Sequence, residues 1–221
     1  MSPEAHLLLQ EFSNKQISRD QLHDRTVNNF NLIPELLQGI LSKKASVRYG
    51  CAKILNDLSS EYPEKIYPYF NEFFNLLDSK YRILTWNAMA IIANLAPIDI
   101  EKKLDANFEK LFVFINNDYM VTVANVVGAS AKIAQAKPYL IPKIAAELLK
   151  VQNISTGPHL TEECKRVIAE KTVESFSLFF DKVPAKDRPS ILAFVNGCVN
   201  SPRKTLKIKA ETFLKQWSKT P

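Results

Sequence analysis

Two stretches of the chain, SVRYGCAKILNDLS at 46–59 and LTWNAMAIIANLA at 84–96, write nearly the same helix face 37 positions apart. Val47 matches Leu84, Ala52 matches Met89, Ile54 matches Ile91, Leu55 matches Ile92, and Leu58 matches Leu95. Apolar residues at this spacing line one side of an α-helix. In the second copy, residues 83–96, only Thr85, Asn87 and Asn94 are polar. A helix that is apolar almost all round must be covered on several sides. One helical hairpin cannot supply that cover; a stack of hairpins can, because each copy shelters the next.

The prolines punctuate the stack. Proline suits the first turn of a helix, where its missing N–H has no partner to lose, and it stops a helix that precedes it. Pro34, Pro68, Pro142 and Pro189 each open a segment with helical apolar spacing: PELLQGILS, PYFNEFFNLL, PKIAAELLKV and PSILAFVNGCV. Stepping 37 on from Pro68 reaches Asp105, a capping residue type, ahead of Phe108, Leu111, Phe112 and Ile115 at i, i+3, i+4 and i+7. A second set, Pro63, Pro97, Pro138 and Pro184, follows the longer second helices, and Pro158 and Pro202 precede the last two of them.

The steps between first-helix starts are 34, 37, 37 and 47 residues. The long last step is explained by NISTGPH at 153–159, a stretch of loop formers without helical pattern. Residues 1–30 stand outside the repeat. Leu7–Leu9 and Phe12 predict one short helix there, and Ser18 with Gln21 predicts a capping box before a second. The expected organisation is therefore an N-terminal helical cap at 1–30 and an array at 31–221, with units near 31–62, 63–97, 98–137, 138–183 and 184–221.

Helix pairs with these features resemble the HEAT-repeat family of α-solenoids. The segment YPEKIYPYFNEFFNLLDSKYRILTWNAMAIIANLA at 62–96 carries the family's proline, Asp and Arg as Pro68, Asp78 and Arg82. The first unit supplies Val47–Arg48, and the third has Asp118 but no Arg. The fourth and fifth units keep only proline, alanine and apolar spacing. The step is short against that family's usual period of about 40–47, so a tetratricopeptide reading stays open, although that family's Trp–Leu–Gly–Tyr spacing is absent. The resemblance implies an all-α fold: a right-handed solenoid of about five helix pairs, serving as a binding surface for partners.

Aligning the second helices places Gly50, Asn87 and Asn125 in one register, and Asp57, Asn94 and Lys132 one heptad later. Seven residues is nearly two turns, so the two rows share a face. In HEAT-like solenoids the second helices line the concave side. On that basis Asn87, Asn94 and Asn125 are expected to hydrogen-bond the backbone of a partner, with Asp57 and Lys132 beside them. The alternative is a strip that merely faces water. Trp86, next to Asn87, is either an interface anchor or an aromatic packed between repeats.

Charge adds one more candidate. The net +6 is concentrated in residues 201–221, which hold six Lys or Arg against Glu211 alone. On the last helix, Leu206, Ala210, Phe213 and Trp217 form an apolar face, and Lys204, Lys207, Lys215 and Lys219 form a basic one shared with Ile208. That face is either a site for phosphate or an acidic peptide, or a solvated cap. No aromatic side chain interleaves with its lysines for base stacking.

Catalytic signals are thin. His6, His23 and His159 are isolated, and Cys51, Cys164 and Cys198 lie inside helical patterns as core residues rather than metal ligands or nucleophiles. No catalytic residue, metal or cofactor is expected. No apolar run reaches a bilayer span and the N-terminus lacks signal-peptide features, which predicts no membrane association and a cytoplasmic protein, nuclear if the source is eukaryotic.

The expected function is a non-catalytic module that binds a protein or peptide. The alternative is a nucleic-acid protein using the basic C-terminal helix, resembling the HEAT-like alkylpurine DNA glycosylases. That chemistry calls for a carboxylate with aromatic and Arg neighbours on a basic concave face. Asp57 is the only carboxylate in the aligned stripe.

Overall fold

The structure, a computed structural model, describes residues 3–217, with side chains from residue 7 onward. Among the described residues the chain is built of helices, with no strand and one isolated bridge between Gly157 and Leu160. Contacts divide it into two compact units that meet in sequence between Ala106 and Asn107, inside the predicted 98–137 repeat.

The first unit opens with α1 (Pro3–Ser13) and α2 (Arg19–Asn28). The capping box is present: the Gln21 backbone N–H donates to Ser18 Oγ, and the Ser18 N–H donates to Gln21 Oε1. The pairs α3 (Ile33–Gly39) with α4 (Ala45–Glu61), and α6 (Phe70–Leu76) with α7 (Arg82–Leu95), follow, linked through α5 (Pro63–Ile66). Helices α4 and α7 pack side by side, and each leans on its own first helix. Their matching residues Val47, Leu55, Leu58, Leu84, Ile92 and Leu95 are all buried, as the repeated pattern requires.

Two glycines make room for α1. A Cβ on Gly39 would lie 2.4 Å from Cys51 Sγ and 3.3 Å from Leu9, and one on Gly50 would lie 2.5 Å from the Phe12 ring. Gly50 is therefore a seat for the N-terminal cap rather than an open rung of a polar stripe. The Lys44 ammonium also donates to the Ser13 carbonyl. Arg48, 5% exposed, rivets the turn between α3 and α4. Its guanidinium donates to the Ser42 carbonyl at 2.8 Å and lies 3.7 Å from the centroid of the Tyr81 ring at the start of α7.

The proline expectations hold with one refinement. Pro34, Pro142 and Pro189 sit in the first turn of their helices. Pro68, Pro97 and Pro138 sit instead in single 3-10 turns, a tighter winding that leads into the next first helix. Asp105 does not cap the helix of Phe108. It lies within the short α8 (Lys103–Ala106), whose start is held by Asp99: the buried Asp99 carboxylate accepts from the Lys103 and Leu104 backbone N–H groups and from the Tyr67 hydroxyl. Asn107 precedes α9 (Phe108–Phe112) without a side-chain cap.

The second unit continues from α9 to α10 (Met120–Ala136), then pairs α11 (Ile141–Leu149) with α12 (Glu162–Ser177) and α13 (Arg188–Gly197) with α14 (Lys204–Trp217). The loop former stretch at 153–159 does lengthen the turn before α12, whose Thr161 side chain caps the Cys164 N–H. Helix α12 packs between α10 and α14. The Ser175 hydroxyl donates to the Val127 carbonyl of α10 at 2.9 Å, and the Gln135 amide donates to the Leu178 carbonyl at 3.1 Å. Phe176, Phe179 and Phe180 fill the core beneath. No helix among the described residues is long and apolar enough to cross a membrane.

Candidate functional site

The aligned polar residues of the second helices separate into two chemically different groups. Asn87 on α7 and Asn125 on α10 are half-buried and behave alike. Each side-chain amide donates to the carbonyl four residues earlier in its own helix, Ile83 or Val121, at 2.8 Å. That tether fixes the amide plane and leaves Oδ1 and the second N–H without a protein partner among the described residues.

Asn94 is used differently. Its amide donates to Ser59 Oγ at 2.9 Å and to Asn56 Oδ1 at 3.4 Å, so it fastens α7 to α4 within the first unit. Its expected role as a ligand contact gives way to this helix–helix bond, because α4 comes alongside at that rung. Asn94→Ala should lower the stability of the chain by about 1–2 kcal/mol; thermal unfolding measures this. An unchanged melting temperature would remove the structural role.

The other predicted site residues are accounted for as follows. The Asp57 carboxylate is taken by Lys53, one turn earlier on α4. Lys132 is exposed on α10, and Trp86 is half-buried on α7. Tyr49, the counterpart of Trp86 in the preceding pair, packs edge-on against Tyr81 with centroids 6.4 Å apart. Lys204, Lys207 and Lys215 are exposed on α14, as expected, while Lys219 lies outside the described residues.

The basic count of the last helix needs correction. Arg203 donates to Glu163 of α12 at 2.6 Å and also to Glu170, and Lys209 donates to Glu170 and Glu174. Thr205 adds a bond to Glu170 at 2.7 Å. Burial alone would raise the Glu170 pKa, but the bonds from Lys209, Arg203 and Thr205 outweigh it and bring it down to about 2. Glu163 is lowered chiefly by its bonds from Arg203 and Arg166. Two of the six basic groups counted in residues 201–221, Arg203 and Lys209, thus serve as clamps to α12, and neither belongs to the basic face read from the sequence. Beside the clamp lies an open cleft of about 240 Å³, with Val173 and Phe213 among its apolar lining and Ser177, Thr212 and Gln216 among its polar lining.

Two of the three cysteines match their reading as core residues: burial pushes the Cys51 thiol up to about 12 and raises Cys198 as well, so both stay protonated, whereas Cys164 is only half-buried in the first turn of α12. Among the described residues no group of three His, Cys, Asp or Glu side chains is placed to hold a metal ion.

No protein-family model and no curated protein matches the chain. Solved structures do match. A designed armadillo repeat protein superposes with a TM-score of 0.59 at 16% identity, covering 88% of this chain and 85% of its own. Two engineered proteins from the Northeast Structural Genomics Consortium superpose with TM-scores of 0.56, at 16% and 14% identity, each covering 96% of this chain and 87% and 89% of their own. The fold is an armadillo/HEAT-like helical repeat. At these identities the likeness establishes the all-α solenoid architecture and nothing about ligands. An armadillo-like architecture also accommodates the short turns that carry Pro68, Pro97 and Pro138, since armadillo repeats add a third, shorter helix to the pair.

Proposed function

We propose that this chain is a non-catalytic binding scaffold that holds protein segments through polar rows on its second helices, represented by Asn87 in the first unit and Asn125 in the second. The observation that carries the reading is the shared state of Asn87 and Asn125. Both occupy the same register, both are tethered to the carbonyl four residues back, and both keep an acceptor and a donor available. An amide in that state suits a peptide backbone, which offers one donor and one acceptor per residue. The pre-set amide plane lowers the entropy lost on binding. Kinship with the HEAT-repeat family is part of the proposal and rests on Pro68, Asp78 and Arg82 in the second repeat. A repeat scaffold of this class gains affinity from many weak contacts spread along its length.

The test is affinity capture from the native cell followed by reconstitution with the captured protein. Asn87→Ala combined with Asn125→Ala should weaken that complex at least about tenfold, equivalent to about 1.4 kcal/mol, with the melting temperature unchanged. A double variant that binds as tightly as the wild type ends this reading. Binding that instead falls steeply with salt and follows duplex or single-stranded DNA supports the nucleic-acid alternative.

A further inference from the structure

Among the described residues one face of α14 has no partner, and its chemistry is mixed rather than simply basic. Leu206, Ala210 and Phe213 point into the core, and Arg203 and Lys209 are bound to α12. Lys204, Ile208, Glu211 and Lys215 fall on the side opposite the core, within an arc of roughly 60°, with Lys207 at its edge. Ile208 is 60% exposed on one side of this arc, away from Lys207. Among the described residues, the ion pair on this face is a solvent-exposed Lys207–Glu211 contact of 3.8 Å, which contributes little.

We propose that this face docks an acidic amphipathic helix from a partner protein, with an apolar side chain on Ile208 and carboxylates on Lys204, Lys207 and Lys215. Charge complementarity commits the face to an acidic occupant. The exposed isoleucine beside these lysines selects a helix with an apolar ridge over a bare polyanion, which would cover Ile208 with nothing that prefers it to water. Lys204 and Lys215 are roughly 16 Å apart along the helix axis, three turns of a partner lying alongside. The protein already contains one such pairing. Helix α12 presents Glu163, Glu170 and Glu174 at i, i+7 and i+11, and it is met by Arg203 just before α14 and by Lys209 on α14. The free face of α14 offers the same charge to a second acidic helix. This inference does not depend on the asparagine reading above.

Fluorescence anisotropy with a labelled synthetic helical peptide of about 18 residues tests it. The peptide carries Glu at i, i+7 and i+11 on one face and Leu at i+4, and is titrated with the full chain at low salt. Saturable binding is expected, weakened at least about tenfold both by the combined Lys204→Gln, Lys207→Gln and Lys215→Gln variant and by Ile208→Asp. All four side chains are exposed, so circular dichroism should show unchanged folding. The proposal is overturned if binding does not saturate, or if a control peptide with Gln for Glu binds equally. It is equally overturned if Ile208→Asp leaves affinity intact, or if a single-stranded DNA of matched charge binds more tightly than the peptide.

Discussion

Phe180→Ala is expected to destabilise the second unit by about 3–5 kcal/mol, the usual cost of emptying a fully buried aromatic site. Phe180 lies in the turn after α12, at a junction of three helices. Its ring packs against Phe213 with centroids 4.9 Å apart and against Trp217 at 5.4 Å, both on α14, and the Arg188 guanidinium of α13 lies 5.6 Å from its centroid. Arg188 also donates to the Val183 and Asp181 carbonyls, so the turn is pinned from both sides and cannot collapse into the vacated space. The chain has two tryptophans, and they report separately: Trp86 belongs to the first unit and Trp217 to the second. In a Trp86→Phe background, denaturant unfolding followed by Trp217 fluorescence reads the change directly. A shift below about 1 kcal/mol would show that the cluster is not the keystone its burial implies.

Glu170→Gln is the second large effect, about 2–3 kcal/mol at neutral pH. The glutamate is 12% exposed at its side chain and joins two cations to one anchor. Removing its charge leaves Arg203 with Glu163 alone and Lys209 with Glu174 alone, so each partly buried cation loses one of its two counter-charges. The wild type should show the same loss on acidification. Folding lowers the Glu170 pKa from 4.5 to about 2, so the unfolded chain binds the proton more readily. The stability from this clamp is fully present above about pH 4.5 and is lost as pH falls toward 2. Glu163 and Glu174 shift in the same direction and steepen the same window. Wild-type and Glu170→Gln stabilities, measured from pH 7 downward, should therefore converge as pH approaches 2. Parallel curves would mean that the clamp contributes nothing.

Much of the local structure was legible because it follows from short-range rules. The Ser18–Gln21 capping box, the loop at 153–159 and the apolar face Leu206–Ala210–Phe213 each depend on residues within a few turns of one another. Asp105 was misplaced for the same kind of reason. A capping residue type at the expected step says nothing about competition, and Asp99, buried and bonded to two backbone N–H groups, had already opened a short helix there. The 37-residue step predicted that α4 and α7 share a buried face, and they do.

The helix register of the candidate residues was legible in the sequence, but their bonding state was not. Periodicity assigns each side chain a direction about its own helix axis, and so Asn87, Asn94 and Asn125 fall in matching rows of their helices from spacing alone. Whether an amide is spent depends on what the neighbouring helix brings to that rung. Asn94 meets Asn56 and Ser59, 38 and 35 residues away, and is consumed; Asn87 and Asn125 turn back on their own helices. Gly50 is filled by Phe12 from the cap, and Lys209 is claimed by Glu170, 39 residues earlier. The amino-acid order by itself determined the helices, their repetition and the faces they bury, because those depend on local spacing and the avoidance of water. Only the tertiary structure decided which polar groups on those faces stay available, because hydrogen bonds and ion pairs are short-ranged and their partners arrive from distant parts of the chain.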